Sequence, residues 1–292
     1  MPEVLTDTQI ASYQQTGYLL LENYLPEVVI DNIRLEITRF EDEARQLTVS
    51  NDRLELEDGH TAEDPRVRRI RLPHTISDVM RELMYSDHIL APARDLIGPD
   101  LRLHTTKLNM KSAENGAAIE WHQDYAFYPH TNDDILAIGI IIDDMESDNG
   151  PLMVYPGSHK GPVYSHHVDG VFAGAFIPTD VGLNPDNAVE LKGPAGTMSI
   201  HHGRIVHGSA RNTSDRPRRI LFYEMMAADA FPIVGSLTKW DGIEDYNTRL
   251  LCGKPTLTPR LKDIPIRIPQ PQPDVPISIY EIQKGLKKSG FG

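Results

Sequence analysis

Cysteine is nearly absent from this chain, which has a single one, Cys252, in 292 residues. A lone cysteine excludes an internal disulfide and a cysteine-rich zinc site, and it is typical of a reducing compartment such as the cytoplasm. Long apolar runs are missing too, since the longest, Ile135 to Ile142, is too short to cross a bilayer. The N-terminus lacks a basic segment followed by an apolar stretch, so we expect no secretion signal and no membrane partner.

An excess of basic residues is also missing. The chain has 29 Lys and Arg against 42 Asp and Glu, a net charge of −13. Such a chain repels phosphate backbones, so nucleic acid is not an expected partner. The sequence contains no GxGxxG, no Walker loop, no GxSxG and no HExxH. Any chemistry must therefore come from another pattern.

The first 100 residues are predicted to be mostly helical. Gly17 stands where a helix over 7–15 should stop. The polar and acidic residues 48–65 are predicted to form a loop. Pro92 predicts a break within a helical stretch over 77–97.

From 101 to 230, short apolar runs alternate with turn residues, which predicts a β core. The predicted strands span 101–111, 118–125, 135–143, 151–155, 188–191, 197–202, 204–208 and 218–226. Residues 231–292 are a C-terminal extension, with a proline-rich extended stretch over 264–277 and a short helix over 279–288. We therefore expect one domain over 1–292, with a β barrel or sandwich and N-terminal helices packed against it.

The tripeptide His122-Gln123-Asp124 is the clearest chemical signal. Residues two apart on a strand share a face, so His122 and Asp124 point one way and Gln123 the other. An imidazole beside a carboxylate supplies two thirds of the facial triad that holds non-haem Fe(II). The simpler alternative is a solvated His and Asp on a strand.

The Asn-Gly pair at 115–116 predicts a two-residue hairpin turn. That turn would place Asn109 opposite His122 and Lys107 opposite Asp124, all on one face. The lysine could alternatively do no more than neutralise Asp124.

The candidates for a third metal ligand are His201, His202 and His207. A hairpin of 205–209 with 218–222 would place Ser209 opposite Arg218, on the same face as His207. An arginine fork beside a hydroxyl is a good receptor for a carboxylate. The pattern thus indicates a chelating diacid with one end at Arg218 and the other at the metal.

Taken together, these motifs resemble the phytanoyl-CoA dioxygenase family. They are His122-x-Asp124, Asn149-Gly150-Pro151-Leu152, Pro156-Gly157-Ser158-His159, and His207-Gly208-Ser209 followed by Arg218 eleven residues after His207. The resemblance runs from about residue 8 to about residue 230. That family comprises Fe(II)/2-oxoglutarate-dependent oxygenases on a double-stranded β-helix, so the resemblance implies a mainly β, cupin-like jelly-roll core with flanking helices.

The resemblance also implies roles for particular residues. The implied iron ligands are His122, Asp124 and His207. The implied 2-oxoglutarate contacts are Arg218, Ser209 and Asn109. The implied cofactor is Fe(II), with 2-oxoglutarate and O2 as co-substrates, and the implied reaction hydroxylates a small molecule with release of succinate and CO2. Desaturation or ring formation would use the same site.

The substrate is expected to be a small free metabolite, anionic or polar-aromatic. The candidate contacts are Lys107, Tyr125, Phe127, Tyr128, His202, Arg69 and Arg71. Strand parity splits the basic cluster over 66–71 between two faces, which fits one carboxylate or surface ion pairs better than the phosphates of coenzyme A. Residues 107–109 resemble a strand of ectoine hydroxylases, but the continuation over 125–130 departs from their signature, so ectoine is not expected.

Three alternatives stay open at this stage. One is an acyl-CoA hydroxylase of the same family, and another is a non-catalytic jelly-roll that binds a small ligand. The third, a halogenase, is disfavoured because its halide must occupy the position that Asp124 fills.

Overall fold

The protein is described here by a computed structural model covering residues 2–114, 116–234, 241–274 and 278–291. The helices are α1 (Asp7–Thr16), α2 (Glu27–Ala44), α3 (Asp78–Met84), α4 (Asp87–Ile97), α5 (Ile243–Asn247) and α6 (Ile279–Gln283). The strands are β1 (Tyr18–Leu21), β2 (Leu54–Leu56), β3 (Val67–Arg71), β4 (Leu101–Lys111), β5 (Ile119–His122), β6 (Ile135–Ile141), β7 (Leu152–Val154), β8 (His167–Val168), β9 (Val171–Phe172), β10 (Val189–Leu191), β11 (Met198–His202), β12 (His207–Ser209), β13 (Arg218–Ala227) and β14 (Leu250–Cys252).

Two antiparallel sheets form the body of the protein. The larger has the order β1-β11-β6-β13-β4-β3-β2, with β14 also paired to β4, and the smaller has the order β10-β7-β12-β5. Ile220 and Phe222 of the larger sheet pack in one apolar cluster with Leu152 and Val154 of the smaller. Side chains of both sheets also line a single cavity. This is the double-stranded β-helix, or jelly-roll, that the sequence predicts.

A helical layer covers the outer face of the larger sheet. Ile30, Ile33 and Phe40 of α2 are fully buried in the same cluster as Ile138 and other residues of the larger sheet. Strand β6 is therefore covered on both faces, and each of its residues is buried. Its unbroken apolar sequence follows from that position, because a strand buried on both sides has no face left for polar residues.

The ends of the first helix agree with the prediction. Thr6 Oγ1 accepts a hydrogen bond from Gln9 N at 3.2 Å, and Gln9 bonds back to Thr6 N, which is a capping box. Gly17 then ends α1 with a φ of 83°, a left-handed conformation that favours glycine. A Cβ at this position would also lie 2.5 Å from Nδ1 of His159.

Two local predictions in the N-terminal region are wrong. The predicted break in the helix over 77–97 falls at 85–86, between α3 and α4, and Pro92 lies inside α4. Because α4 begins at Asp87, the proline sits in its second turn and removes one backbone hydrogen bond. The predicted loop over 48–65 contains the short strand β2, which pairs with β3. The acidic composition of this segment gives no sign of that pairing.

Both predicted hairpins are wrong as well. Strand β4 pairs with β13 and β3, while β5 pairs with β12. Strand β12 likewise pairs with β5 and β7, not with β13. In each case the chain does turn at the predicted place, but the turn leads from one sheet to the facing sheet. The two strands that it joins are therefore not hydrogen-bonded neighbours. Asn115, in the first predicted turn, lies outside the described residues.

The C-terminal extension has little regular structure. The described part of the proline-rich stretch, 264–274, forms neither helix nor strand, and 275–277 lie outside the described residues. The predicted helix over 279–288 is shorter and ends at Gln283. Within the described part of the chain, every helix is too short or too polar to cross a bilayer.

Candidate active site

Two histidines and an aspartate converge in the cavity between the sheets. His122 on β5 and His207 on β12 are direct partners in the strand register, with ring centroids 4.1 Å apart. Asp124 Oδ1 lies 3.7 Å from Nε2 of His122 and 3.8 Å from Nε2 of His207. The candidate ligand atoms all lie within 4.8 Å of one another, and all three residues are buried. This donor set matches the facial triad of non-haem iron oxygenases.

Backbone contacts orient both imidazoles toward that point. Nδ1 of His122 donates to the carbonyl of Glu120 at 2.7 Å, and Nδ1 of His207 donates to the carbonyl of Ile205 at 3.0 Å. With the proton on Nδ1, each Nε2 presents its lone pair to the space beside Asp124. The rings are therefore held in the tautomer that metal binding requires.

The electrostatics favour the same protonation states. Burial opposes ionisation of Asp124, but Lys107 and His207 outweigh it and hold the pKa of the carboxyl well below its usual value of 3.8. Burial, with help from His122, holds the pKa of His207 well below 6.5. An ionised carboxylate beside a neutral His207 imidazole suits a divalent cation.

Of the three histidine candidates, only His207 joins this cluster. His201 lines the cavity, but its Nε2 lies 3.5 Å from the other carboxylate oxygen of Asp124. His202 points to the opposite face of β11, where its ring lies 5.0 Å from that of His159 and its Nε2 lies 3.9 Å from Asp133. The structure therefore does not bring His202 into the lining of the cavity, where the sequence predicted a substrate contact.

Asp124 keeps the parity of a strand although β5 ends before it. Gln123 is extended, with φ −124° and ψ 124°, and Asp124 opens a short 3₁₀ turn. The Gln123 amide points away from the cavity and donates to the carbonyls of Pro162 at 3.1 Å and Arg204 at 2.8 Å. The alternation expected for His-x-Asp thus holds through the metal motif.

Arg218 provides a positive charge at one end of the cavity. It is buried, and its Nε and Nη2 donate to the carbonyl of Gly150 at 3.0 and 2.8 Å. Burial lowers its pKa to about 10, so the group remains a cation at neutral pH. Among the described residues no carboxylate lies within ion-pair distance of it. A buried guanidinium without a counter-ion suits an anionic ligand.

Ser209 and Asn109 lie beside Arg218 in the lining of the cavity. Asn109 is buried, and its Oδ1 has no hydrogen-bond partner among the described residues. Both residues line the cavity that holds the triad, and Ser209 follows His207 by two residues. Metal ligands and carboxylate receptors therefore share one space, as a chelating diacid would need.

Lys111 is a further buried cation that the sequence did not single out. Its Nζ donates to the carbonyls of Ala210 and Ser209, the latter at 3.2 Å. Burial, reinforced by the nearby Arg218, holds its pKa well below 10.5. Lys111 thus holds the backbone that carries Ser209 in place.

The predicted substrate contacts divide into two groups. Four of them line the cavity: Arg69, Lys107, Phe127 and Tyr128. Besides His202, Tyr125 and Arg71 do not line it. Tyr125 is fully buried in a separate apolar cluster and donates its hydroxyl to the carbonyl of His130, since the turn after Asp124 directs it away from the cavity. Arg71 instead pairs with Glu55 on the neighbouring strand at 3.3 Å.

A buried polar network at the other end of the cavity was missed by sequence reasoning. Glu224 on β13 pairs with Lys107 and accepts a hydrogen bond from the Tyr128 hydroxyl at 3.0 Å. Its Oε2 lies 3.7 Å from Nδ1 of His104, whose ring packs 3.9 Å from that of Tyr128. The alternation of β13 from Arg218 was a signal for Glu224, because residues an even number apart share a face.

The C-terminal extension closes part of the same cavity. Ile279 and Ile282 line it, and the Gln283 side chain accepts a hydrogen bond from Glu120 N at 2.9 Å beside the metal motif. Further on, the Phe291 ring packs 4.9 Å from that of Trp121. The sequence offered no motif in this region, so its position is a finding of the structure.

A facing pair of antiparallel sheets that encloses a buried two-histidine, one-carboxylate cluster is the architecture of the non-haem iron oxygenases. The sequence model of the phytanoyl-CoA dioxygenase family matches residues 13–220. The chain belongs to this family, and the resemblance noted in its motifs is confirmed.

The curated relatives are α-ketoglutarate-dependent enzymes or hydroxylases. The chain is 34% identical over 287 residues to the "Probable alpha-ketoglutarate-dependent hypophosphite dioxygenase" of Stutzerimonas stutzeri, with 97% of this chain and 99% of that protein covered. It is 31% identical to the L-proline trans-4-hydroxylase of Streptomyces griseoviridis, with 72% of this chain and 82% of that protein covered.

Solved structures share the fold. EctD from S. alaskensis with 2-oxoglutarate and 5-hydroxyectoine superposes with a TM-score of 0.66 at 21% identity, covering 90% of this chain and 88% of that chain. The carbocyclase SnoK from nogalamycin biosynthesis gives 0.64 at 23% identity, covering 88% and 96%. The protein is an Fe(II)/2-oxoglutarate-dependent dioxygenase.

The buried pair of Lys107 and Glu224 should matter for stability. Lys107→Met leaves the Glu224 carboxylate buried without its cation, and we expect this to lower the free energy of unfolding by about 3–5 kcal/mol. Adding Glu224→Gln to that variant should recover part of the loss. Urea unfolding of the two variants and the wild type measures both effects.

The matched control is the exposed pair of Lys284 and Glu281, whose charged atoms lie 2.7 Å apart. Lys284→Met should cost less than about 1 kcal/mol, since exposed pairs are weak. Equal losses in Lys107→Met and Lys284→Met would contradict the account of the buried network.

Proposed function

We propose that His122, Asp124 and His207 hold the iron of this dioxygenase. The observation that carries the proposal is the convergence of two Nε2 atoms and one carboxylate oxygen on a single buried point. Three protein ligands leave further coordination positions for co-substrates. When bound, iron together with 2-oxoglutarate activates dioxygen for oxidation of the substrate.

We further propose that Arg218, Ser209 and Asn109 hold 2-oxoglutarate. The buried guanidinium of Arg218 would bind the distal carboxylate, and the buried Asn109 side chain in the same lining would contact the ligand beside it. Lys111 supports this receptor by fixing the carbonyls of Ser209 and Ala210. The apolar walls of Leu152, Ile220 and Phe222 exclude water from the reacting groups.

The proposed substrate is a small free anion and not a coenzyme A thioester. The cavity measures about 470 Å³ and must hold 2-oxoglutarate as well as the substrate. The relative that matches over nearly the whole chain is named for hypophosphite, a small anion. Within the basic stretch over 66–71, Arg71 pairs with Glu55 and Arg66 with Asp64, which supports a site for one small anion over a receptor for several phosphates.

We also propose that the chain acts as one domain, located in the cytoplasm. The support for one domain is that strands of both sheets and the C-terminal residues Ile279 and Ile282 line the same cavity. The support for the cytoplasm is the single cysteine.

Succinate release tests the substrate proposal. We define the anion panel as hypophosphite, phosphite, formate and propionate, supplied separately to the anaerobically loaded enzyme before oxygen is admitted. Succinate should exceed the substrate-free background with at least one member. L-proline and ectoine are tested as zwitterions for comparison. Propionyl-CoA is tested beside free propionate to compare a thioester with its free acid. Release with propionyl-CoA but with no member of the panel would contradict the proposal.

A further inference from the structure

Strand β13 crosses the whole cavity and defines its two ends. Arg218, Ile220, Phe222 and Glu224 alternate along it and all line the cavity. At about 3.4 Å per residue, Glu224 lies roughly 20 Å along the strand from Arg218. Phe222 pairs with Lys107, the lysine that acts on the Asp124 carboxyl, so the metal cluster lies between the two ends.

The charges at these ends do not cancel. The cavity lining contains two carboxylates, Asp124 and Glu224, and more cations than that: Arg69, Lys107, Arg218 and Arg249. Lys107 pairs with Glu224. On the proposed function, Arg218 meets the distal carboxylate of 2-oxoglutarate, and the metal balances Asp124 and the other carboxylate. Arg69 and Arg249 are then the two cations of the lining to which no counter-charge is assigned.

These two arginines lie at opposite ends. Arg69 pairs with Asn109 in the strand register, which places it on the side of Arg218. Arg249 lies at the Glu224 end, since its carbonyl accepts a hydrogen bond from Leu103 N at 2.8 Å. A bulge in the pairing of β13 with β4 falls at this level, between Glu224 and Met225. There three successive residues, Leu103, His104 and Thr105, all reach the cavity lining.

Arg249 is held in place without a counter-ion in the part of the chain that the structure describes. Its Nη1 is 3.5 Å from the carbonyl of His104, and no carboxylate among the described residues lies within ion-pair distance of its guanidinium. Burial lowers its pKa against the opposing effect of Asp245 and Tyr246, and a bound anion would offset the remaining cost of that burial. The histidines around it carry no positive charge, because burial also lowers the pKa of His74 and His104.

We infer that Arg249 is the anchor for a singly charged anionic group of the primary substrate, a carboxylate or a small oxoanion. A guanidinium fork binds either group through two parallel hydrogen bonds. The inference rests on the proposed function, since it takes Arg218 to be occupied by 2-oxoglutarate. It makes the two ends of the cavity separate anion sites on either side of the metal, and it makes Arg249 a residue that determines substrate specificity.

Binding without turnover tests the inference. The protein is loaded with Ni(II) in place of iron and saturated with 2-oxoglutarate, and each member of the anion panel is titrated by calorimetry. At least one anion should bind to the wild type. Arg249→Met should weaken that binding roughly 30-fold or more, because a buried charge pair is lost, while 2-oxoglutarate affinity stays unchanged. Arg249→Lys should retain part of the affinity.

The matched control is Arg53→Met, which removes the same charge from an exposed position and should bind the anion as the wild type does. Unchanged anion affinity in Arg249→Met would overturn the inference. A wild-type protein that binds 2-oxoglutarate but binds no member of the anion panel would overturn it as well. Failure of the wild-type protein to bind 2-oxoglutarate at all would instead contradict the proposed co-substrate site. The two failures are therefore distinguishable.

Discussion

His207→Ala should lose iron binding and all 2-oxoglutarate turnover while the protein stays folded. The imidazole supplies one of three ligands, its Nε2 lies 3.8 Å from Asp124 Oδ1, and the cluster of candidate ligand atoms among the described residues consists of His122, Asp124 and this histidine. Loss of a residue that merely orients a ligand already weakens metal affinity about 10–100-fold, so loss of the ligand itself should exceed that range. Anaerobic Fe(II) titration followed by metal analysis measures the effect.

His202→Ala is the control for that experiment. This side chain is largely buried but lies near Asp133 on the other side of β11, so the variant should keep its iron. Thermal unfolding of both variants establishes that they are folded. Full iron occupancy in His207→Ala, together with loss of iron in His202→Ala, would show that the third ligand is assigned wrongly.

Arg218→Ala should raise the KM for 2-oxoglutarate by roughly 30-fold or more, which corresponds to about 2–5 kcal/mol for a lost charge-assisted pair. The guanidinium is buried and lines the cavity together with Ser209 and Asn109. Iron binding should be unaffected, because Arg218 does not touch the triad. Steady-state succinate release at varied 2-oxoglutarate gives the KM.

Arg219→Ala provides the matched control, one residue away on the opposite face. Arg219 makes a bidentate ion pair with Asp143, with N–O distances of 2.7 and 2.5 Å, outside the cavity. Its loss should lower stability and leave the KM for 2-oxoglutarate unchanged. An unchanged KM in Arg218→Ala with a large rise in Arg219→Ala would refute the assignment.

The metal motif could be predicted from the sequence because its geometry is local. His122 and Asp124 share a face through one extended residue, and this holds even though β5 ends before Asp124. Gly17 is similar, since the end of α1 depends on one left-handed residue. Features fixed within a few residues need no knowledge of the distant chain.

Strand pairing could not be predicted in this way. The turn signals between β4 and β5 and between β12 and β13 were read as hairpins, yet both connections cross between facing sheets. Asn109 and Lys107 nevertheless reach the cavity that holds His122, because facing sheets bring their inner sides together. These residues thus share one cavity as expected, but they do so across facing sheets and not across a hairpin.

The residues that sequence reasoning missed have functions set by tertiary contacts. Lys111, Glu224 and Arg249 belong to no motif, and each matters through burial against partners far away in the chain. Tyr125 is the opposite case, a residue that sequence reasoning placed in the cavity lining and the structure does not. It follows Asp124 directly, but the 3₁₀ turn directs its side chain to the carbonyl of His130. Proximity in sequence to the metal motif therefore did not indicate which side chains line the two ends of the cavity.

The most direct test of the central claim is an anaerobic titration of 2-oxoglutarate into Fe(II)-loaded protein, followed by visible charge-transfer absorption of the metal–keto-acid chelate. The account predicts an absorption that saturates at one equivalent in the wild type, is absent in His207→Ala, and needs a far higher 2-oxoglutarate concentration in Arg218→Ala. Wild-type absorption in His207→Ala, or none in a wild-type protein shown to hold both iron and 2-oxoglutarate, would contradict it.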